Sequence, residues 1–509
     1  MRVRAVALAS FGVTLASAVA LGQVPIAPPA SEARPVPASG EAEAPAPPVL
    51  ADLDEPPLFG DTGRLVYLRD RRDFIRIYPH ARLDTEAHGF FGSRVSSLRA
   101  DQAGVDLGPA FIVRHARFEL GGEALERLAF DFAFDLVENP ALDGARADAR
   151  KTRVGLDAAW TYIDAGRGLG LMMGVFQAPF SLENRTQVSE LAFMERSVAT
   201  RGFAVPASRV LGASLEGSTY LRQLSWSVGA FGGEALGTGS MDRSFDGIGR
   251  VSYQPFITHA SWPLQGLELG VSLRAGTRNP RDNHSDAPAI TTRQGFALWR
   301  PTRVDADGQT VHILQTGTQR GIGLELRLPS KCLTLRGEGY YMNRQTRETL
   351  EPAASTPGLR GGSISGFAGY VELSSWPLAG LLDSDQPSPG RFPHPEHLEL
   401  WNTVPFQERH GIELAALAGG IGASYDAQSR SGTPDPSVRS KRIRIWELGF
   451  AVNYWHTARF KIGANLNAYI TPKRDDNLAG VPGNLGPPEQ ADLAASHLYE
   501  LAVRATLQF

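Results

Sequence analysis

Cysteine is all but missing. Cys332 stands alone in 509 residues, so no intramolecular disulfide framework holds the chain together, and its stability rests on hydrogen bonding and packing. Lysine is scarce as well: Lys151, Lys331, Lys441, Lys461 and Lys473 are the only ones, and every other basic residue is arginine. Neither charge is in large excess, with 51 Lys+Arg against 54 Asp+Glu and a formal net charge of −3, which excludes a general nucleic-acid binder. Long hydrophobic runs are missing everywhere but at the N-terminus, which excludes a bundle of membrane-spanning helices.

The one apolar run, MRVRAVALASFGVTLASAVALGQ, has Arg2 and Arg4 in front and the small residues Ala18-Val19-Ala20 behind, the layout of a secretory signal peptide over residues 1–22. Export from the cytoplasm is expected. Residues 23–60 are rich in proline and alanine and have no apolar periodicity, so they are expected to be a disordered periplasmic segment.

From about Phe74 the texture changes. In LAFDFAFDL the positions Leu128, Phe130, Phe132, Phe134 and Leu136 are apolar while Asp131 and Asp135 lie between them, a period of two that identifies a strand. LELGVSLR from Leu267, FKIGANLNAYI from Phe460 and YELAVRATLQF up to Phe509 repeat the pattern, and sixteen such segments lie between Phe74 and Phe509. Brief turns, as at Gly121, Ala165, Pro329 and Trp455, alternate with long polar stretches such as Ala178 to Ser208, Gly276 to Gln319 and Thr471 to Ser496. Trp376 to His410 breaks that rule by being long on the short-turn side. A secreted sandwich or a β-solenoid would also alternate, but a sandwich of this length needs two or three domains with linkers, and none follows Pro57. The reading is an all-β fold, a transmembrane antiparallel β-barrel of about 16 strands over residues 61–509. Its apolar faces meet lipid, its polar faces a wet lumen, and closure leaves no backbone edge unpaired in hydrocarbon.

Other constellations carry little. GRGLG from Gly166 sits in a tight turn with no helix after it, so a nucleotide loop is not supported. HPEH at His394 to His397 offers two histidines in a proline-rich loop, too few to complete a tetrahedral zinc site. SLEGS around Glu216 lacks the strand-turn-helix setting of a nucleophile elbow. No enzyme, metal or cofactor is expected.

Several blocks resemble the phosphate-selective porin O and P family: HARLD (His80 to Asp84), RHARFELGG (Arg114 to Gly122), LDAAWTYID (Leu156 to Asp164), GVFQAPFSLENRTQ (Gly174 to Gln187) with FMERS (Phe193 to Ser197), and GRVSYQP (Gly249 to Pro255). The terminal strand ending on Phe509 resembles the assembly signal of bacterial outer-membrane barrels. The resemblance implies a trimeric sixteen-stranded channel of the bacterial outer membrane, with loops folded inward and arginines and lysines binding the anion. It places the family's first-strand arginine on Arg82, the arginine pair of the second strand on Arg114 and His115, an acid of the fourth strand on or next to Asp157, and the arginine of the G-R-V block on Arg250. Where phosphate-selective members have a lysine after Leu-Glu, this chain has Asn184 followed by Arg185. Histidine is only partly charged near neutral pH, and Arg117, inward by parity, can substitute for the missing second arginine. Parity also turns Arg76, Arg274, Arg327, Arg336, Lys461 and Arg504 inward, against Asp131, Asp135, Glu216, Glu268, Glu325, Glu338 and Glu500, a mixed lumen.

Two functions are open on these grounds. One is an outer-membrane porin for passive diffusion of small anions such as phosphate, with Arg82, Arg114, His115, Arg117, Asp157, Arg185 and Arg250 at the pore and a homotrimer in outer-membrane lipid as its setting. The other is a barrel scaffold or adhesin with little conductance, whose working surface is the long loops. In the porin reading, the loop Ala178 to Ser208 sets Arg185, Arg196 and Arg201 against Glu183, Glu190 and Glu195, so anion preference is expected from the wall.

Overall fold

The computed structural model describes residues 59–61, 66–70, 74–92, 109–125, 127–137, 155–186, 188–204, 209–219, 223–232, 244–257, 264, 266–279, 290–293, 297–299, 302–304, 310–329, 333–349, 361–377, 411–428, 441–457, 460–471 and 497–508. The expected signal peptide, the proline-rich segment up to residue 58, His394 to His397 and Phe509 lie outside these residues.

Each alternating segment forms a strand. The first eight are β1 Ile75–Gly92, β2 Ala110–Ala124, β3 Leu128–Asp135, β4 Gly155–Gly166, β5 Leu169–Gln177, β6 Arg209–Ser218, β7 Leu224–Gly232 and β8 Phe245–Tyr253. The second eight are β9 Glu268–Arg278, β10 Thr310–Pro329, β11 Leu333–Thr349, β12 Gly361–Ser375, β13 Gly411–Gln428, β14 Lys441–Thr457, β15 Phe460–Ile470 and β16 His497–Gln508. Every neighbour in this order pairs antiparallel, and β16 returns to β1 in a register running from Leu498↔Gly92 to Gln508↔Arg82. The sheet is a closed sixteen-stranded barrel.

Burial is inverted relative to a water-soluble protein. Phe132 is 42% exposed while its neighbour Asp131 is 6% exposed, and the outer face carries Phe118, Phe134, Val271, Leu273, Leu324, Leu448 and Phe450 in the open. This band faces lipid, so the carboxylates of LAFDFAFDL point inward.

Below the point where β16 stops, a short hairpin takes over the same edge of β1. Phe59–Asp61 pairs with Val66–Arg69, which pairs in turn through Leu68↔Ile77 and Arg69↔Arg76. β2 occupies the opposite edge of β1 throughout that stretch. The long connection after β12 begins with Trp376 buried against Trp455, ring centroids 6.1 Å apart; residues 378–410 lie outside the described set.

The connection from β5 to β6 folds into the barrel. It contains two short helices, α1 Leu182–Arg185 and α2 Val198–Phe203, whose residues are nearly all buried. Ser181 and Ser197 cap them, accepting the Asn184 and Thr200 N–H groups at 3.1 and 3.2 Å. Two acids of the wall finish each helix start. Glu338 on β11 accepts the Leu182 and Glu183 N–H groups at 2.8 and 2.6 Å, and Glu447 on β14 accepts that of Val198 at 2.8 Å. Phe180, Phe193, Phe203, Tyr340, Ile421 and Ile445 belong to the buried apolar cluster between this loop and the wall. A second loop segment, Ile290–Thr291 paired with Ala297–Trp299, packs on α2, with Ile290 beside Gly202.

Candidate functional site: the lumen constriction

The inward loop leans on β9 to β16, and β1 to β4 carry a further group of inward charges that Arg114 joins to the loop. Two β-bulges shape that side. Between Asp84 and Thr85 the partners jump from His115 to Val113, and between Ala133 and Phe134 they jump from Ala158 to Leu156. Arg114 and Asp157 are the extra residues, and a bulge re-aims the side chain it carries. Phe111, Val113 and Phe118 stay on the exposed face while Arg114 is 2% exposed, which strict alternation cannot produce.

Asp157 is the hub. It accepts from Arg117 at 3.1 Å and from Arg209 at 2.5 Å, and Arg117 also pairs with Glu119 at 2.9 Å. His115 Nδ1 lies 2.6 Å from Asp135 Oδ2, and Arg82 pairs with Asp84. All these basic side chains keep partial exposure: 14% for Arg82, 13% for Arg117, 16% for Arg209 and 24% for His115.

Arg196 on the loop lies near enough to this group to feel Asp157 and to act on Arg209. Its Nε donates to the Glu183 carbonyl at 3.1 Å and its Nη2 to the Asn184 and Thr186 carbonyls at 2.9 and 3.1 Å. Burial pulls this guanidinium below its usual range; Glu183, then Glu195 and Asp157, oppose the shift from a distance. Two of the loop's acids, Glu183 and Glu195, are used in anchoring. Glu183 accepts the Ser197 N–H and hydroxyl at 3.0 and 2.7 Å, and Glu195 bridges Arg114 at 3.2 Å and Arg504 at 2.9 Å. A one-to-one count of loop charges therefore does not describe the field, because Arg196 is held by carbonyls rather than by a carboxylate.

Arg82, Arg114, His115, Arg117 and Asp157 thus gather at one level of the lumen, Arg114 as the link between wall and loop. Arg185 and Arg250, named with them from the sequence, sit elsewhere. Arg250 is buried between Glu325, at 2.6 and 2.9 Å, and Glu268 at 3.2 Å. Arg185 is buried beside it on α1. Burial, and then Arg250, pulls its guanidinium down to about 9, with Glu216, Glu325 and Glu268 opposing. Both belong to the seam between loop and wall. Parity reports which face a side chain takes, and the inner face of this barrel includes both open lumen and loop-covered wall.

Arg209, Arg293 and Glu447 were not singled out by sequence, while Arg196 was read only as one of the balanced loop charges and Glu338 only as an inward acid. Parity groups Arg209 with the outward Leu211, but at the first residue of β6 its side chain reaches Asp157 instead. Arg293 comes from the long loop before β10. It pairs with Glu447 at 2.8 Å, donates its N–H to Tyr469 at 3.0 Å, lies over the Phe193 ring at 4.5 Å and donates to the Glu195 carbonyl. One signal was available for the loop's resting place. β13 reads GIELAALAGGIGAS, apolar on both faces, as expected of a strand covered by protein inside as well as by lipid outside.

The barrel is similar in shape to several solved outer-membrane proteins. A loop L8 deletion mutant of OmpT from Vibrio cholerae aligns over 86% of this chain and 100% of its own, at 8% identity and a TM-score of 0.47. The channel DcaP of Acinetobacter baumannii aligns over 87% and 99%, at 8% identity and 0.47, and an anion-selective porin from Comamonas acidovorans over 86% and 100%, at 11% identity and 0.44. Among curated protein sequences none matches the chain. The model of the family described as "Phosphate-selective porin O and P" matches residues 86–477, well over half the chain. With a closed sixteen-stranded barrel, an inward loop and that match, the chain belongs to the phosphate-selective porin O and P family, non-enzymatic porins of the bacterial outer membrane.

Proposed function

We propose that this porin lets small anions, phosphate among them, diffuse passively across the outer membrane as a homotrimer, and that selection occurs where Arg196 of the inward loop faces Arg82, Arg117 and Arg209 of the wall. The carrying observation is the division of labour among charges. The loop acids Glu183 and Glu195 are engaged in anchoring, Arg196 is held by carbonyls, and on the wall Arg117 and Arg209 converge on Asp157, with Glu119 as a second acid on Arg117. A guanidinium offers a planar fork to two oxyanion oxygens. At about 4 Å and an effective dielectric near 20, each such contact is worth about 4 kcal/mol before desolvation. A passing ion must be bound well enough to enter and weakly enough to leave, and the neighbouring Glu119, Asp135 and Asp157 moderate the well.

Planar-bilayer recording in asymmetric potassium chloride tests this. Wild type should show conductance steps with a reversal potential on the anion side and block of chloride current by phosphate. Arg196→Ala and Arg117→Ala should each shift the reversal potential toward cations and weaken the block. Arg320→Ala, exposed on the outer face opposite Ala275, should do neither. Cation selectivity in wild type would overturn the reading, and an absence of steps would favour a barrel scaffold or adhesin.

A further inference from the structure

Away from the constriction, at the loop ends of β8 to β11, lies a buried charge cluster that does not balance. Asp246 on β8, Gly276 on β9, Gln319 on β10 and Arg344 on β11 fall in one register row across four strands. Arg274 and Arg278 flank Gly276 on the same inner face. Asp246 accepts Arg274 at 2.8 Å and Arg278 at 2.9 and 3.0 Å, so both guanidiniums converge on one carboxylate. A Cβ on Gly276 would come within 1.8 Å of Asp246 Oδ1, so only glycine lets that carboxylate lie across β9.

Arg344 completes the cluster and is the odd member. It is 2% exposed, and its one hydrogen bond runs from Nη2 to the Ala204 carbonyl, at 3.2 Å, just after α2. Its Nε and Nη1 are buried with no hydrogen-bond partner among the described residues, as are the Nε atoms of Arg274 and Arg278 and the Oε1 of Gln319. Among the described residues the charges acting on Arg344 are Arg274, Arg278 and Asp246, which makes three guanidiniums to one carboxylate. A buried cation left without a counter-charge is among the most expensive arrangements in a protein, and unmade donors next to it add to the cost.

We propose that this cluster holds a small oxyanion as a resident structural ligand, which fastens the returning end of the inward loop, at Ala204, to the wall. The unmet donors of Arg344, Arg274 and Arg278 suit the oxygens of such an ion. The unmet acceptor of Gln319 suits an oxyanion that carries its own hydroxyl, as hydrogen phosphate does. The site is distinct from the constriction: none of its residues contacts Asp157, Arg196 or Arg117, and it takes an ion that stays rather than one that passes.

Thermal unfolding of the purified, folded barrel, followed by heat-modifiable gel mobility, tests the proposal without needing conductance. Millimolar phosphate should raise the unfolding temperature by several degrees over chloride at equal ionic strength. Arg344→Gln should lose that rise while keeping wild-type ion preference in bilayers, and Arg117→Ala should retain it. Asp246→Asn, which removes the competing carboxylate, should enlarge it. The proposal falls if phosphate gives wild type no rise, if the rise survives in Arg344→Gln or shrinks in Asp246→Asn, or if it disappears in Arg117→Ala, which would place the anion in the pore.

Discussion

Two guanidiniums, Arg114 from the second strand and Arg504 from the last, reach one carboxylate on the inward loop, that of Glu195. Burial alone would push this carboxyl up, but Arg114 and Arg504, then His115 and Arg201, hold it well below the usual carboxylate range. An acid with a lowered folded value contributes its stabilisation in full above the ordinary glutamate range and loses it only as pH falls through the lowered value. Wild-type channels should therefore keep a steady open-state current from about pH 8 to about pH 5, with loop noise appearing only in stronger acid. Glu195→Gln should be noisy already at neutral pH and change little over that interval; single-channel recording that finds the variant as quiet as wild type would remove Glu195 from the anchoring role. The sequence showed Glu195 as one of three loop acids balancing three loop arginines. Its two partners lie 81 and 309 residues away, so no local pattern could announce them.

Strands were the most legible elements, because a lipid-facing row of Phe130, Phe132 and Phe134 with acids between leaves little choice of period or face. The bulges were not legible. Arg114 and Asp157 each add one residue to a strand whose flanking apolar positions still look like uninterrupted alternation, and only the shift of partners reveals them. The inward loop was expected, but not what holds it: Glu338, read as a lumen charge, and Glu447, not singled out at all, act as acceptors at helix starts. Glu338→Ala should leave two loop N–H groups and the Tyr370 hydroxyl without their acceptor, at about 1–3 kcal/mol for each group that stays buried. We expect a lower unfolding temperature and a larger, less stable conductance, with Glu338→Gln intermediate because its amide oxygen still accepts. Wild-type conductance in Glu338→Ala would show that the apolar packing of Phe180, Phe193 and Phe203 holds the loop unaided.

At the scale of the whole molecule, closure depends on β16 meeting β1 from Leu498 to Gln508. Deleting Phe509, next to that strand's end, should lower the yield of folded, heat-modifiable barrel in the outer membrane far more than it lowers expression; unchanged yield and mobility would refute a terminal assembly role. The N-terminal hairpin bears on the same seam. The lower part of β1 outruns its last-strand partner, and a strand edge left bare there would present free N–H and C=O groups, a template on which a neighbouring chain can add itself. Val66–Arg69 lies along that edge at Arg76 and Ile77, so the chain supplies its own cover from the residues just ahead of the barrel. A barrel is usually counted safe from sticking to its neighbours because it has no edges, yet here an uneven stretch of the circle is sealed by a piece outside the circle. Trimming that piece would be expected to create molecules that fold, insert and then adhere to one another at their periplasmic rims.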